Sequence, residues 1–167
     1  ITCLDGGAAW PGPSTALDST ELSNLEIRGV SSDPLGGFTF ARPWEVVVDG
    51  NGAAAFDINT LGGAGPSGLT LEGLTLVGGG GAGSAAVVVS GVSDTLIDRC
   101  IIDCADGTGI SIRSASDTTV LNTVVFGGSE DGIEVRAISM ADPPSTGTLI
   151  NGCSIIANSG IGIDASI

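Results

Sequence analysis

Two arginines and a group of acids carry the strongest hint of chemistry in this chain. Arg113 and Arg136 stand 23 residues apart in "SIR" and "EVR", with Asp164 aligned below them in "GID"; Glu134 lies two residues before Arg136, and Asp131 is close by in "EDG". Two carboxylates about 5–9 Å apart could cleave a glycoside, one as acid and the other as base or nucleophile, and Asp131 with Glu134 would be that pair. Arginines beside acids on a solvent face more often pair with each other, a contact worth little by itself. Asp94 and Asp117 recur in the phrase Ser-Asp-Thr, also 23 residues apart. A carboxylate there caps turn amides, and the alternative is a shared calcium ion. Asp98, Asp103, Asp106 and Glu130 add to an acidic edge, in a pattern that matches neither an EF-hand loop nor the glycine-aspartate calcium repeat.

Other chemistries are excluded by what is missing. The chain has no His, so Ser-His-Asp and Cys-His nucleophilic catalysis cannot be assembled within it. Four cysteines with one Cys-x3-Cys spacing and no His make a poor zinc set, and free thiols are expected. The run Gly78 to Gly83, "GGGGAG", is not followed by Lys-Ser and reads as a turn rather than a phosphate loop. With 19 acids against 5 bases, all arginine, the formal charge is −14. Phosphate backbones are repelled, so nucleic acid is a poor partner, and no apolar stretch is long enough for membrane insertion.

Something must hold these residues at their 23-residue spacing. Ala86, Gly109, Gly132 and Gly160 begin the similar phrases "AVVVSGVSD", "GISIRSASD", "GIEVRAISM" and "GIGIDASI", with separations of 23, 23 and 28 residues. The longer interval is assigned to a protruding loop, Met140 to Thr146, whose two prolines cannot continue a ladder. A second phrase aligns Leu71, Ile97, Val120 and Ile150 in one column; Leu74, Cys100, Thr123 and Cys153 in the next; and Leu76, Ile102, Val125 and Ile155 in a third. An earlier echo places Leu22, Leu25 and Ile27 in those three columns.

These phrases are short, rich in branched residues and alternating, so they are predicted strands. Repetition at this period marks a stacked array whose units cover one another's apolar faces. With no helix in the unit, each repeat is one turn of a coil, and successive turns lie about 4.8 Å apart as parallel strands. Equivalent inward residues then stack: Ile110, Ile133 and Ile161 in one column; Ile112, Val135 and Ile163 in another. Each such side chain contributes about 1.5–3 kcal/mol on burial. Cys100 and Cys153, two turns apart, would be about 9.6 Å from each other, too far for a disulfide.

On "GISI…SDTTVLNTVV…DGIEV" and "GTLINGCSIIANSGIGI", from about Pro66 to Ile167, the sequence resembles the right-handed parallel β-helix proteins of the pectin-lyase-like superfamily. The resemblance implies an all-β fold, a single-stranded parallel β-helix (solenoid) of about 5–7 rungs of roughly 23 residues. Residues 66–167 form the regular rungs and residues 1–65 an irregular N-terminal cap, with rungs around 20–30 and 44–58, in one continuous domain that is read as a segment of a longer chain. It is similar in particular to the large bacterial and archaeal extracellular and surface proteins of this architecture.

In the pectate lyases of that superfamily an arginine removes a proton from uronate while acids hold calcium, which makes Arg113 and Arg136, with Asp131 and Glu134, the catalytic candidates. The polygalacturonase Asp-Asp and Gly-His-Gly phrases are absent, as is the Lys expected beside Arg in alginate and chondroitin lyases. Two function classes follow. The first is a non-catalytic scaffold at the cell surface or outside the cell, structural, adhesive or filament-forming, binding no cofactor and meeting glycans or other copies of itself by end-to-end or edge stacking. The second is a polysaccharide lyase or glycoside hydrolase working in an outward groove, with calcium if a lyase.

Overall fold

The computed structural model describes residues 2–4, 10–11, 24–32, 38–40, 46–59 and 67–166. Strands are expected wherever branched residues alternate with polar ones, and they form there. In chain order they are β1 (Thr2–Leu4), β2 (Trp10–Pro11), β3 (Glu26–Ser32), β4 (Phe38–Phe40), β5 (Val47–Asp49), β6 (Phe56–Asn59), β7 (Thr70–Glu72), β8 (Thr75–Val77) and β9 (Ala85–Ser90). There follow β10 (Leu96–Asp98), β11 (Ile101–Asp103), β12 (Thr108–Arg113), β13 (Thr119–Leu121), β14 (Val124–Phe126), β15 (Ile133–Arg136), β16 (Leu149–Asn151), β17 (Ser154–Ile156) and β18 (Ile163–Asp164). The described residues contain no helix.

Three sheets run the length of the molecule. Sheet A has the order β1-β3-β7-β10-β13-β16, sheet B the order β17-β14-β11-β8-β5-β2, and sheet C the order β18-β15-β12-β9-β6. Each sheet takes every third strand of the regular region, so β7 to β18 make four regular turns of a parallel coil, fewer than the five to seven expected from the repeat length. Strands β3, β5 and β6 continue the ladders on the N-terminal side, and β4 pairs antiparallel with β3. Leu22 and the other residues outside the ranges above are not described.

The core is the set of inward columns. Leu71, Ile97 and Val120 stack in sheet A; Val48, Leu76, Ile102 and Val125 stack in sheet B; Phe56, Val87, Ile110 and Ile133 stack in sheet C. Ile110 and Ile133 are fully buried, as stacking requires. Because each turn covers the next, one residue type serves repeatedly in each column.

Two alignments drawn from the sequence are corrected. Ile133 pairs with Ile163, not Ile161, so the last interval in sheet C is 30 residues and Gly162 takes the place assigned to Gly160. Ile161 instead sits at the corner, where its carbonyl accepts the Gly132 N–H and its own N–H donates to Asp131. Ile27 pairs with Leu71 and so belongs to the first column rather than the third. The loop projects from Met140 to Pro144, with Met140 fully exposed, while Thr146, expected in the loop, is back in the ladder as a parallel bridge to Ser116.

Corners are built from left-handed backbone. One column of turns holds Gly68, Asp94, Asp117 and Gly147 at φ of 73°, 54°, 53° and 65°. Another holds Gly73, Arg99, Asn122 and Gly152 at 66°, 52°, 46° and 66°. Glycine reaches this conformation without strain and Asn or Asp tolerates it, which accounts for seven of these eight positions, Arg99 being the exception.

Candidate functional site

Strand alternation turns Ser111, Arg113, Glu134 and Arg136 outward, because Ile110, Ile112 and Ile133 point in. The ladder then sets Ser111 beside Glu134 and Arg113 beside Arg136 on the outer face of sheet C. Glu134 Oε2 accepts the Ser111 hydroxyl at 2.8 Å and lies 3.6 Å from Arg113 Nη2, while Oε1 is 2.7 Å from Arg136 Nη1. Arg113 Nε donates to Ser111 Oγ at 2.7 Å. Glu134 is only 8% exposed, so the carboxylate is held on both oxygens and covered by its partners.

Arg113, Arg136 and Glu134 are thus brought together as the sequence placed them, but chemically they satisfy one another. Both guanidinium groups are occupied by Glu134, and Arg113 also by Ser111, which leaves neither directed at a substrate. Asp131 is directed elsewhere: its Oδ1 accepts the backbone N–H of Ile161 at 2.7 Å, tying its turn to the next one. Asp164 does not lie below the arginines as expected; the ladder places it opposite Glu134.

Asp94 and Asp117 occupy the exposed corner column described above. Asp94 donates its N–H to Ser116 O and Asp117 to Thr146 O, each linking its own turn to the following one. Among the described residues, no group of three or more His, Cys, Asp or Glu is arranged to hold a metal ion. Of the other acids, Glu130 accepts the Gly83 N–H at 3.0 Å and the Thr108 hydroxyl at 3.3 Å, and Asp98 Oδ1 accepts the Asn122 amide at 3.0 Å.

Sequence reasoning missed a second cluster, on the outer face of sheet A. Glu72 Oε2 lies 2.8 Å from Arg28 Nε, its Oε1 pairs with Arg99 Nη2, and Arg99 Nε lies 3.2 Å from Asp98 Oδ2. Glu72 is 7% exposed. The available signal was the residue following each first-column residue: Arg28 after Ile27, Glu72 after Leu71, Asp98 after Ile97. Placing Ile27 in the wrong column separated Arg28 from Glu72.

Asp57 was also missed. It shares an outward row with Val88, Ser111 and Glu134. Among the described residues, its buried Oδ1 has no hydrogen-bond partner, and neither does Oδ1 of Asn59. Burial raises the Asp57 pKa, opposed by the charge of Arg113.

The two buried thiols, Cys100 and Cys104, offer no nucleophile. Cys100, Cys104 and Cys153 are free. Burial pushes Cys100 up to about 12 and Cys104 up to about 11, so both stay protonated at neutral pH. Cys100 Sγ fills core space and lies 3.4 Å from the Asp98 carbonyl.

Comparison with known proteins agrees with this architecture. No curated protein and no solved structure matches the chain. Residues 45–166 match the model of the right-handed beta helix region, which covers most of the chain and every regular turn of the coil. By that match and by its three parallel sheets, the chain belongs to the right-handed beta helix family.

Proposed function

We propose that this chain is a non-catalytic scaffold module acting outside the cell or at its surface. The observation that carries this reading is the closed cluster on sheet C. Arg113, Arg136 and Glu134 are the best catalytic candidates, yet they neutralise one another, and Glu134 is nearly buried beneath its partners. A second nearly buried glutamate, Glu72, is likewise held between two arginines on sheet A, which supports a structural purpose for both. A fold shared by many activities does not itself supply one, so function rests on these sites. Stiff parallel turns offer reach and a long face, and an acidic surface of this charge favours neutral glycans or cationic neighbours over phosphate polymers.

The test is a lyase and hydrolase assay of the purified chain on polygalacturonate and alginate, with and without calcium, following unsaturated products and reducing ends. No turnover is expected. Robust cleavage that disappears in Arg113→Ala or Arg136→Ala would establish the enzyme reading instead.

A further inference from the structure

The chain contains two Asn-Gly pairs, Asn51-Gly52 and Asn151-Gly152, and the fold treats them differently. Asn51 and Gly52 lie in the corner between β5 and β6, both exposed, with φ of 51° and 84°. The Ala53 N–H donates to the Gly50 carbonyl at 3.0 Å, which closes a turn with positive φ at both central residues, the type I′ form. Asp49 Oδ1 accepts the Asn51 N–H at 2.7 Å. On the side where a Gly52 side chain would project, there is nothing within 4 Å.

Asn151 is also exposed, but it ends β16 and is bound into a ladder. It pairs with Leu121, and its carbonyl accepts the Asn122 N–H at 3.1 Å. The space beside Gly152 is occupied by the Asn122 side chain.

We infer that Asn51 is a site of spontaneous deamidation, from which Asn151 is protected by its ladder. The backbone nitrogen of Gly52 attacks Cγ of Asn51. A new N–C bond forms, the Cγ–NH2 bond breaks, and the amide nitrogen leaves as ammonia after taking up the proton lost from Gly52. Water then opens the cyclic imide at either carbonyl, giving aspartyl and isoaspartyl products without any oxidant or cofactor. The attack requires the Asn-Gly peptide to rotate toward the side chain. A two-residue exposed turn allows this with local motion alone, whereas a strand must first leave its ladder. The isoaspartyl product adds a methylene to the backbone and a negative charge at the corner. Gly80 of the next turn lies so close to Gly52 there that even a Cβ on Gly80 would come within 2.8 Å of the Gly52 Cα.

The experiment is peptide mapping by mass spectrometry of the intact folded chain, incubated at mildly alkaline pH, with a parallel incubation in denaturant. In the folded protein, products at position 51 are expected to accumulate about tenfold faster than at position 151, since local opening limits the latter. In denaturant the two rates should converge, because both share the same Asn-Gly chemistry. Equal rates in the folded chain, or a faster reaction at position 151, would overturn the inference, as would an unmodified position 51 when the denatured chain reacts there. Asn51→Gln, which lengthens the side chain, should abolish the reaction at that position only.

Discussion

The outer faces of sheets A and C each carry one nearly buried glutamate held between two arginines, but the clamps are built differently. On sheet A, Arg28, Glu72 and Arg99 come from three successive turns, so the acid is gripped from above and below. On sheet C, Glu134 and Arg136 share strand β15, and only Arg113 reaches across from the preceding turn, with Ser111 between. Asp57, in the same row of sheet C as Glu134, has no such grip on its buried oxygen from the described residues. In a coil of this kind, the fate of an outward acid is therefore set by which residues share its lane one turn away together with those two places along its own strand.

Substitutions separate these regions, beginning with the interior that both clamps surround. Ile110→Ala removes the centre of a fully buried column and should destabilise the chain by about 2–5 kcal/mol in denaturant unfolding. A loss no larger than that from an outer-face variant would contradict the view that the columns carry the stability. Glu72→Ala strands two arginines that lie on separate turns and should cost about 2–3 kcal/mol, a value reduced from the buried-pair range because the arginines reach solvent. Glu134→Ala leaves Arg113 bonded to Ser111 and should cost about 1–2 kcal/mol. If the order of these two is reversed, the three-turn grip gives no advantage.

Asp57→Asn tests the third member of the comparison. The Asp57 pKa is raised in the folded chain, so the folded state binds the proton more tightly than the unfolded one, and the ionised form costs stability above the folded pKa. That cost fades as the pH falls through the folded pKa toward the ordinary value of 3.8. The variant should therefore melt higher than the parent at neutral pH, and the two curves should converge in acid. A variant that melts lower at neutral pH would mean that the Asp57 charge is used. The smallest effect concerns reactivity: a thiol reagent should label half-buried Cys153 before Cys100 and Cys104 in the native chain.

Much of this fold was legible because inward columns repeat in kind. Leu71, Ile97, Val120 and Ile150 could be aligned by eye, as could Leu76, Ile102, Val125 and Ile155, and the ladders pair them so. Arg113, Glu134 and Arg136 could be placed on one face by alternation alone. The failures came where the phrase itself was ambiguous. "GIGI" offers two registers two residues apart, and both keep the same faces in and out, so parity could not choose between Ile161 and Ile163. The backbone bonds of Ile161 to Gly132 and Asp131 decide it. The Glu72 clamp was hidden for a similar reason, since Leu25 and Ile27 both fit an inward position.

The sequence alone determined that this chain coils in parallel turns, because short strands of branched residues recur at a period of about 23 with no helix between them, so each unit must cover the next. It also determined that no histidine chemistry occurs within the chain. The tertiary structure decided the register across loops of unequal length, and with it which charges meet. Side chains from different turns come together only through the ladder, and a shift of two residues leaves the core pattern intact while replacing every outward partner.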